Sequence, residues 1–393
     1  MVSGAESVTG MHRLDGQAGS GEDGPLRIGI VAPPWFEVPP QAYGGTEAVV
    51  GALVDHLVDL GHEVTLVASG PARTRASHFV QVYATPPSQE LGSSAMPEVI
   101  DAAQAAEALE DLDLDIVHDH SLAGPLLARG RSVPTVVTMH GPVDGENGDY
   151  YGRLGSSVGV VAISDAQRRA NPHLNWVGTV HNAVDVPSFP FSADKGRDVV
   201  WIGRFCEDKA PHLAIDAARA AGRRIVLAGK LNEPAEREYF DREIRPRLGE
   251  DVDYVGEADA VLKRRLYEHA ACLLFPIQWE EPFGMVMVEA MACGTPVVAT
   301  RRGSVPEVVD DGRTGIIVDE VSDLPAAIAR AEDLDPRACR AWVREHFDLP
   351  VMARGYEGVY RSLIARSRGD RPGGPSRDRT GDAAGGAQLH RVA

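Results

Sequence analysis

Residues 279–300 read WEEPFGMVMVEAMACGTPVVAT. Two carboxylates, Glu280 and Glu281, precede a turn at Pro282, Phe283 and Gly284. The Ala- and Met-rich run that follows has the composition of a buried helix, and Gly294 stands where a helix C-cap belongs. Pro296 then opens a Val-rich run of strand character. The stretch is therefore one helix–strand unit with an acidic entrance.

The same alternation extends in both directions. Apolar runs suited to strands occur at 27–32, 63–68, 79–83, 116–118, 135–139, 158–162 and 177–180. They resume at 199–202, 225–228, 252–255, 272–275, 297–299 and 315–318. Most are rich in Val and Ile and apolar on both faces, as buried parallel strands are. Helices fit between them, for example at 46–60, with Thr46 as its cap, and at 211–221, 233–248, 263–269 and 284–292. Repeated alternation predicts an α/β fold. So many strands exceed one ordinary open sheet. Residues 185–197, DVPSFPFSADKGR, are irregular and divide the strands into two groups. The expectation is two Rossmann-like parallel-sheet domains facing across a ligand cleft. A single β/α barrel with an appendage fits the strand number and the mid-chain break less well. The expected boundaries are 1–24 as a disordered start, 25–187 as the first domain, 188–349 as the second, and 367–393 as a disordered tail. Both ends are rich in Gly and polar residues and lack periodic apolar patterning.

The 393 residues carry a formal charge of −18. The last 33, from Arg361 onward, hold a net +4, so the rest is more acidic still. Such a chain disfavours nucleic acid and anionic lipid as partners. No run approaches the about 18–20 apolar residues of a membrane span, and the first 24 residues lack the pattern of a signal peptide. Cys206, Cys272, Cys293 and Cys339 are widely spaced. That favours reduced thiols in a cytoplasmic protein over disulfides or structural zinc.

Four segments carry candidate chemistry. In the opening stretch, Glu281 and Glu289 lie eight residues apart, one before the helix and one inside it. Carboxylates at a helix N-terminus can accept hydrogen bonds from ligand hydroxyls, while free amides meet sugar or phosphate oxygens. An acidic turn that balances the helix dipole is an open reading for Glu281. It is weak for Glu289, whose apolar surroundings demand a partner. In 201–212, WIGRFCEDKAPH, Arg204 and Lys209 follow a strand end and could neutralise a diphosphate. They could also pair with Glu207 and Asp208. In 32–47, Gly44 and Gly45 precede a helix and permit close approach of a phosphate, although no dinucleotide fingerprint is present. A flexible turn is equally open. Finally, His118, His120 and His140 fall at strand ends. His140 suits a polar substrate, a structural histidine is the alternative, and a metal site at His118 and His120 lacks a third ligand. Asp111, Asp113 and Asp115 precede a strand and read as a solvated turn.

Taken in order, these segments resemble family 4 of the retaining glycosyltransferases, which have the GT-B fold. The resemblance spans about residues 26–365. Its most specific parts are the E-x7-E of the opening stretch and GSVPEVVDDGRTG at 303–315, supported by GGTE, GRF…DK and TMHG. It implies that Glu289 holds the ribose of a nucleotide-sugar donor. Glu281, with amides near Phe283, Gly284 and Met285, would hold the donor sugar. Arg204 and Lys209, with amides at Gly44 and Gly45, would bind the diphosphate. Gly229 and Val255 would border the base, and His140 would lie near the reacting centre. A last helix, about 350–364, would return to the first domain. Where the family commonly has Pro-Asn-Gly-Val-Asp, this chain has His181, Asn182, Ala183, Val184 and Asp185.

The implied reaction moves a hexosyl-type sugar from a nucleoside diphosphate sugar to a hydroxyl acceptor, with retention and without a metal or cofactor. The catalytic set would be His140, Arg204, Lys209 and Glu281. The acceptor could be a glycan, a glycoside, a small metabolite or a lipid-linked sugar; the basic, apolar patch of membrane-binding members is not visible, so membrane contact is not expected. A nucleotide-sugar epimerase or phosphorylase on the same fold, or a non-catalytic nucleotide-sugar scaffold, are the competing readings.

Overall fold

The computed structural model describes residues 24–40 and 44–369. The first sheet contains β1 (Arg27–Val31), β2 (Glu63–Ala68), β3 (His78–Gln81), β4 (Ile116–Asp119), β5 (Thr135–Met139), β6 (Gly159–Ala162) and β7 (Trp176–Thr179). The second contains β8 (Val199–Ile202), β9 (Ile225–Ala228), β10 (Val252–Tyr254), β11 (Leu273–Phe275), β12 (Val297–Thr300) and β13 (Gly315–Val318). The orders are β3-β2-β1-β4-β5-β6-β7 and β10-β9-β8-β11-β12-β13, with every pairing parallel. Each sheet thus reverses its winding once, between β1 and β4 and between β8 and β11. Such switch points open crevices at the carboxyl ends of strands.

Helices cover both faces. They are α1 (Gly45–Asp59), α2 (Met96–Glu110), α3 (Gly145–Leu154), α4 (Asp165–Ala170), α5 (Pro211–Ala220) and α6 (Pro234–Tyr239). They continue as α7 (Ala260–His269), α8 (Met285–Ala292), α9 (Val305–Val308), α10 (Leu324–Ala331), α11 (Pro336–His346) and α12 (Leu349–Gly369). Because helices lie on both sides, strands such as β5 (TVVTM) and β12 (VVAT) are buried along their whole length. That is why they lack polar alternation.

The chain leaves the second sheet through α11, and α12 packs against α1 of the first. Tyr356 and Tyr360 of α12 are fully buried among the residues of β1, β2 and α1. Their hydroxyls hydrogen-bond Thr138 Oγ1 (3.0 Å) and His118 Nδ1 (2.7 Å). Each buried hydroxyl therefore has a partner, as buried polar groups require.

Three local expectations need correction. The helix expected at 233–248 is broken: α6 is followed by a wide turn at Phe240–Ile244 and a tight one at Arg245–Arg247. Pro246 has no N–H and its ring crowds the preceding turn, so a regular helix cannot continue through it. Thr46 is not a cap. The helix starts at Gly45, and Gly44 occupies the cap position at φ 146°, a conformation that favours glycine. The tail expected from 367 is helical through Gly369, the end of α12. The rest of that tail, and all of the expected disordered start except Gly24, lie outside the described residues.

Asp101 on α2 is fully buried, and neither carboxylate oxygen has a partner. Burial, then the nearby carboxylates of Asp119 and Glu98, push its pKa up to about 8 from the usual 3.8. The folded chain therefore keeps a proton that the unfolded chain releases near 3.8, and stability falls as pH rises from there to about 8. The slope is at most about 1.4 kcal/mol per pH unit. Asp101→Asn removes this titration. Its stability relative to wild type, measured by urea unfolding, should rise steadily between pH 5 and pH 8; a pH-independent difference would contradict the assignment.

Candidate active site

The loops after β8 and β11 meet at the second switch point. After β8, the chain makes a tight turn in which Cys206 N–H donates to Arg204 O (3.0 Å) and Ala210 N–H to Cys206 O (3.1 Å). Ala210 takes φ 46°, a left-handed conformation that costs an alanine of order 1 kcal/mol. The turn leaves Arg204 exposed, with no ion pair among the described residues. It directs Lys209 inward, where its ammonium pairs with Glu281. The same ammonium lies 5.1 Å from the ring centre of Trp279 and 5.9 Å from that of Phe275. Trp279 Nε1 also donates to Glu281 (3.1 Å). Glu281 is 8% exposed, and this cation and indole give the buried carboxylate the partners it needs.

Glu281, Phe283, Gly284 and Met285 form the entrance to α8. Gly284 is its N-cap at φ 76°, and a side chain there would meet Met287 and Phe275. A second loop staples this entrance. Gly303 N–H donates to Glu280 Oε2 (2.7 Å), Ser304 N–H to Glu281 O (2.9 Å), and Ser304 Oγ to Phe283 O (2.8 Å). Gly303 lies so close to the Glu281 backbone that a side chain would collide with it.

Glu289 stands inside α8 at 8% exposure. It accepts from Lys263 Nζ (2.6 Å) and from the buried Tyr267 hydroxyl (3.2 Å). Gly229 follows β9 and is pressed against Gly203 O, with no room for a Cβ. Its N–H donates to Gly256 O (2.9 Å), and Tyr254 OH donates to its carbonyl (2.9 Å). Val255 beside it is 41% exposed.

On the first sheet, His140 follows β5. Its Nε2 lies 2.9 Å from Nδ1 of His120, which follows β4. Burial pushes the His140 imidazole down to about 4, so it is neutral at pH 7. Burial also lowers His120 and His118 strongly, with further contributions from the neighbouring imidazoles. His118 is the structural member: both its nitrogens are occupied, by Tyr360 and by Thr138 Oγ1 (2.8 Å). Gly45 opens α1 with no atom of a described residue crowding it, and the Glu47 carboxyl is pushed up to about 7, chiefly by burial. No hydrogen bond or ion pair among the described residues joins His140, Gly44 or Gly45 to the Arg204, Lys209 and Glu281 group.

The alternative partners weighed from sequence are not used. Glu207 pairs with Arg242 (2.9 Å), and the Asp208 carbonyl accepts from Gln278 N–H (2.8 Å). Asp113 and Asp115 bind Arg27 at the opposite end of the first sheet. No group of three or more His, Cys, Asp or Glu suited to a metal occurs among the described residues. No described helix is long and apolar enough to cross a membrane. Sequence reasoning missed Lys263 and Tyr267, which lie 26 and 22 residues from Glu289 and carry no motif. It also missed Ser304 and Glu307, although both stand in the quoted GSVPEVVDDGRTG.

Removing the Glu289 carboxylate leaves Lys263 and the buried Tyr267 hydroxyl without their acceptor. Glu289→Ala should lose about 1–3 kcal/mol in urea unfolding. Glu289→Gln should lose less, because it keeps an acceptor. Equal stability of Glu289→Ala and wild type would show that the contacts are incidental.

Two family models together match most of both halves. Residues 43–186 match Glycosyltransferase Family 4, and residues 196–333 match Glycosyl transferases group 1. Phosphatidyl-myo-inositol mannosyltransferase of Mycolicibacterium smegmatis is 28% identical over 86% of this chain and 94% of its own length. Glycogen synthase of Mycobacterium tuberculosis is 26% identical over 88% and 96%. Among solved structures, AviGT4, a glycosyltransferase involved in avilamycin A biosynthesis, is 28% identical with a TM-score of 0.68, over 87% of this chain and 99% of that one. HepE of Anabaena, solved with UDP and glucose, shares the fold at 18% identity and a TM-score of 0.67, over 86% and 100%. The chain therefore belongs to the family 4 glycosyltransferases and is a glycosyltransferase of GT-B fold.

Proposed function

We propose that the chain is a retaining hexosyltransferase that takes its sugar from a nucleoside diphosphate sugar and gives it to a hydroxyl acceptor without a metal. The observation that carries this reading is the cation pair after β8. Among the described residues Arg204 has no carboxylate partner, and Lys209 is held by Glu281 beside the entrance of α8. An ammonium has three donors. One can stay on Glu281 while the others meet phosphate oxygens. HepE was solved with UDP and glucose, which supports this donor class.

Transfer separates charge. The bond between the anomeric carbon and the diphosphate oxygen breaks, leaving negative charge on the diphosphate and an oxocarbenium-like sugar. Arg204, Lys209 and the amides entering α8 and α1 stabilise the leaving group where that charge develops. Glu281 and the backbone at Phe283, Gly284 and Met285 orient the sugar hydroxyls, and Glu289 with Lys263 addresses the ribose. Gly229 and Val255 border the base. The acceptor oxygen attacks from the face the diphosphate leaves, its proton passes to a diphosphate oxygen, and the new glycosidic bond keeps the original configuration. His140, neutral at working pH, contributes a hydrogen bond near the reacting carbon, not a charge. Approach of the two halves excludes water and limits donor hydrolysis. The acceptor is a hydroxyl on a glycan, a glycoside, a small metabolite or a lipid-linked sugar, and the work is done in the cytoplasm.

A thermal-shift screen of UDP, GDP and ADP sugars identifies the donor, since a ligand stabilises in proportion to its affinity. One class should raise Tm, and Arg204→Ala and Lys209→Ala should each cut kcat by about 10²–10³-fold with that donor. Full turnover in either variant would refute the assignment of the cation pair. No shift with any nucleotide sugar would refute the donor class.

A further inference from the structure

Glu307 joins the two halves of the molecule. It stands in α9, between β12 and β13 of the second sheet, yet all its side-chain partners belong to the first. Oε2 accepts from the backbone N–H of Asp165 (2.7 Å), and Oε1 from that of Ala166 (2.6 Å). Arg169 adds a contact at 3.2 Å and His181 Nε2 one at 3.4 Å. Burial pushes the carboxyl up, but the hydrogen bonds from His181 and from the two amides outweigh it, so its pKa lies below the ordinary value. Ile163, just before α4, is buried in a core formed mostly by residues of the second half, so this is where the halves dock.

The residues just before Glu307 are those that staple the donor loop. Ser304 bonds both Glu281 O and Phe283 O, and Glu307 N–H donates to Ser304 O (2.8 Å). His181 also lies 5.9 Å, ring centre to ring centre, from Phe283. One turn of chain therefore grips the donor-sugar loop with one end and the first half with the other.

We propose that Glu307 is a positioning residue for sugar transfer: by clasping the amides of Asp165 and Ala166 it fixes the first half, which carries His140, against the loop of Glu281 and Phe283. This rests on the transfer reaction proposed above. None of the clasp's partners, Asp165, Ala166, Arg169 and His181, is a residue assigned to the nucleotide above. Its loss should leave donor affinity intact and lower the rate of the chemical step, because acceptor and donor are no longer held in reacting register.

The test uses Glu307→Ala, Glu307→Gln, and the pair Asp165→Pro and Asp165→Ala. Ser164 is extended (φ −160°, ψ 160°) and so accepts a following proline at the first helical position. Asp165→Pro deletes one clasped N–H, and Asp165→Ala controls for the lost side chain. Readouts are kcat and KM for transfer, Kd for UDP, GDP or ADP (whichever binds wild type), and amide hydrogen exchange across residues 164–169. In Glu307→Ala, exchange should accelerate and kcat fall about 10–100-fold, the scale of losing hydrogen bonds to a charged group. The nucleotide Kd should stay within about twofold, since the clasp's partners are not the residues assigned to the nucleotide. Glu307→Gln should recover part of kcat, and Asp165→Pro should fall below Asp165→Ala. Accelerated exchange with unchanged kcat overturns the proposal and leaves the transfer reading standing, as does a weakened Kd with unchanged kcat. A wild-type protein that transfers no sugar overturns both.

Discussion

The ion pair between Lys209 and Glu281 is the contact on which the site depends. Its partners come from loops after β8 and β11, the strands that flank the second switch point. Glu281 is buried, and the Lys209 ammonium lies over the rings of Phe275 and Trp279. Removing either partner leaves a poorly solvated charge, which is far costlier than the net worth of the pair. The pair fixes the direction of both loops. The strained turn that ends at Ala210 exists to deliver Lys209, and the Gly303 and Ser304 staple exists to hold the Glu281 side. Arg204 is then left exposed, without an ion pair among the described residues, in an acidic chain.

That arrangement resolves a tension in the composition. A net charge of −18 should repel a diphosphate. Several surface arginines are already paired: Arg219 with Asp251, Arg223 with Glu332, Arg301 with Asp319. Such surface pairs cancel locally and add little to the field at the crevice, where Arg204 and the N-terminus of α8 supply positive charge.

Much of the fold could be read in advance because parallel strands buried on both faces show as uninterrupted Val and Ile runs. Every expected strand is present, with ends shifted by at most two residues. Local chemistry was harder to read where a backbone feature overrode composition. Thr46 has the residue type of a cap, but Gly44 takes φ 146° and starts the helix a step earlier. At 233–248 the amphipathic pattern persists through Pro246, which nonetheless breaks the hydrogen-bond ladder. In the site, Glu289 announced that it needed a partner. Which partner it has depends on how α7 packs against α8, and no spacing rule encodes that. Glu307 was hidden for a similar reason. Its partners are backbone amides, which have no signature in the sequence, and they lie about 140 residues away.

The central claim is that a diphosphate binds to Arg204 and Lys209, both in the turn at the carboxyl end of β8. The most direct measurement is a crystal structure of the protein with the nucleoside diphosphate that stabilises it most. The account predicts diphosphate oxygens within hydrogen-bond distance of the Arg204 guanidinium and the Lys209 ammonium, with Lys209 still in contact with Glu281. A nucleotide whose diphosphate lies away from both cations would contradict it.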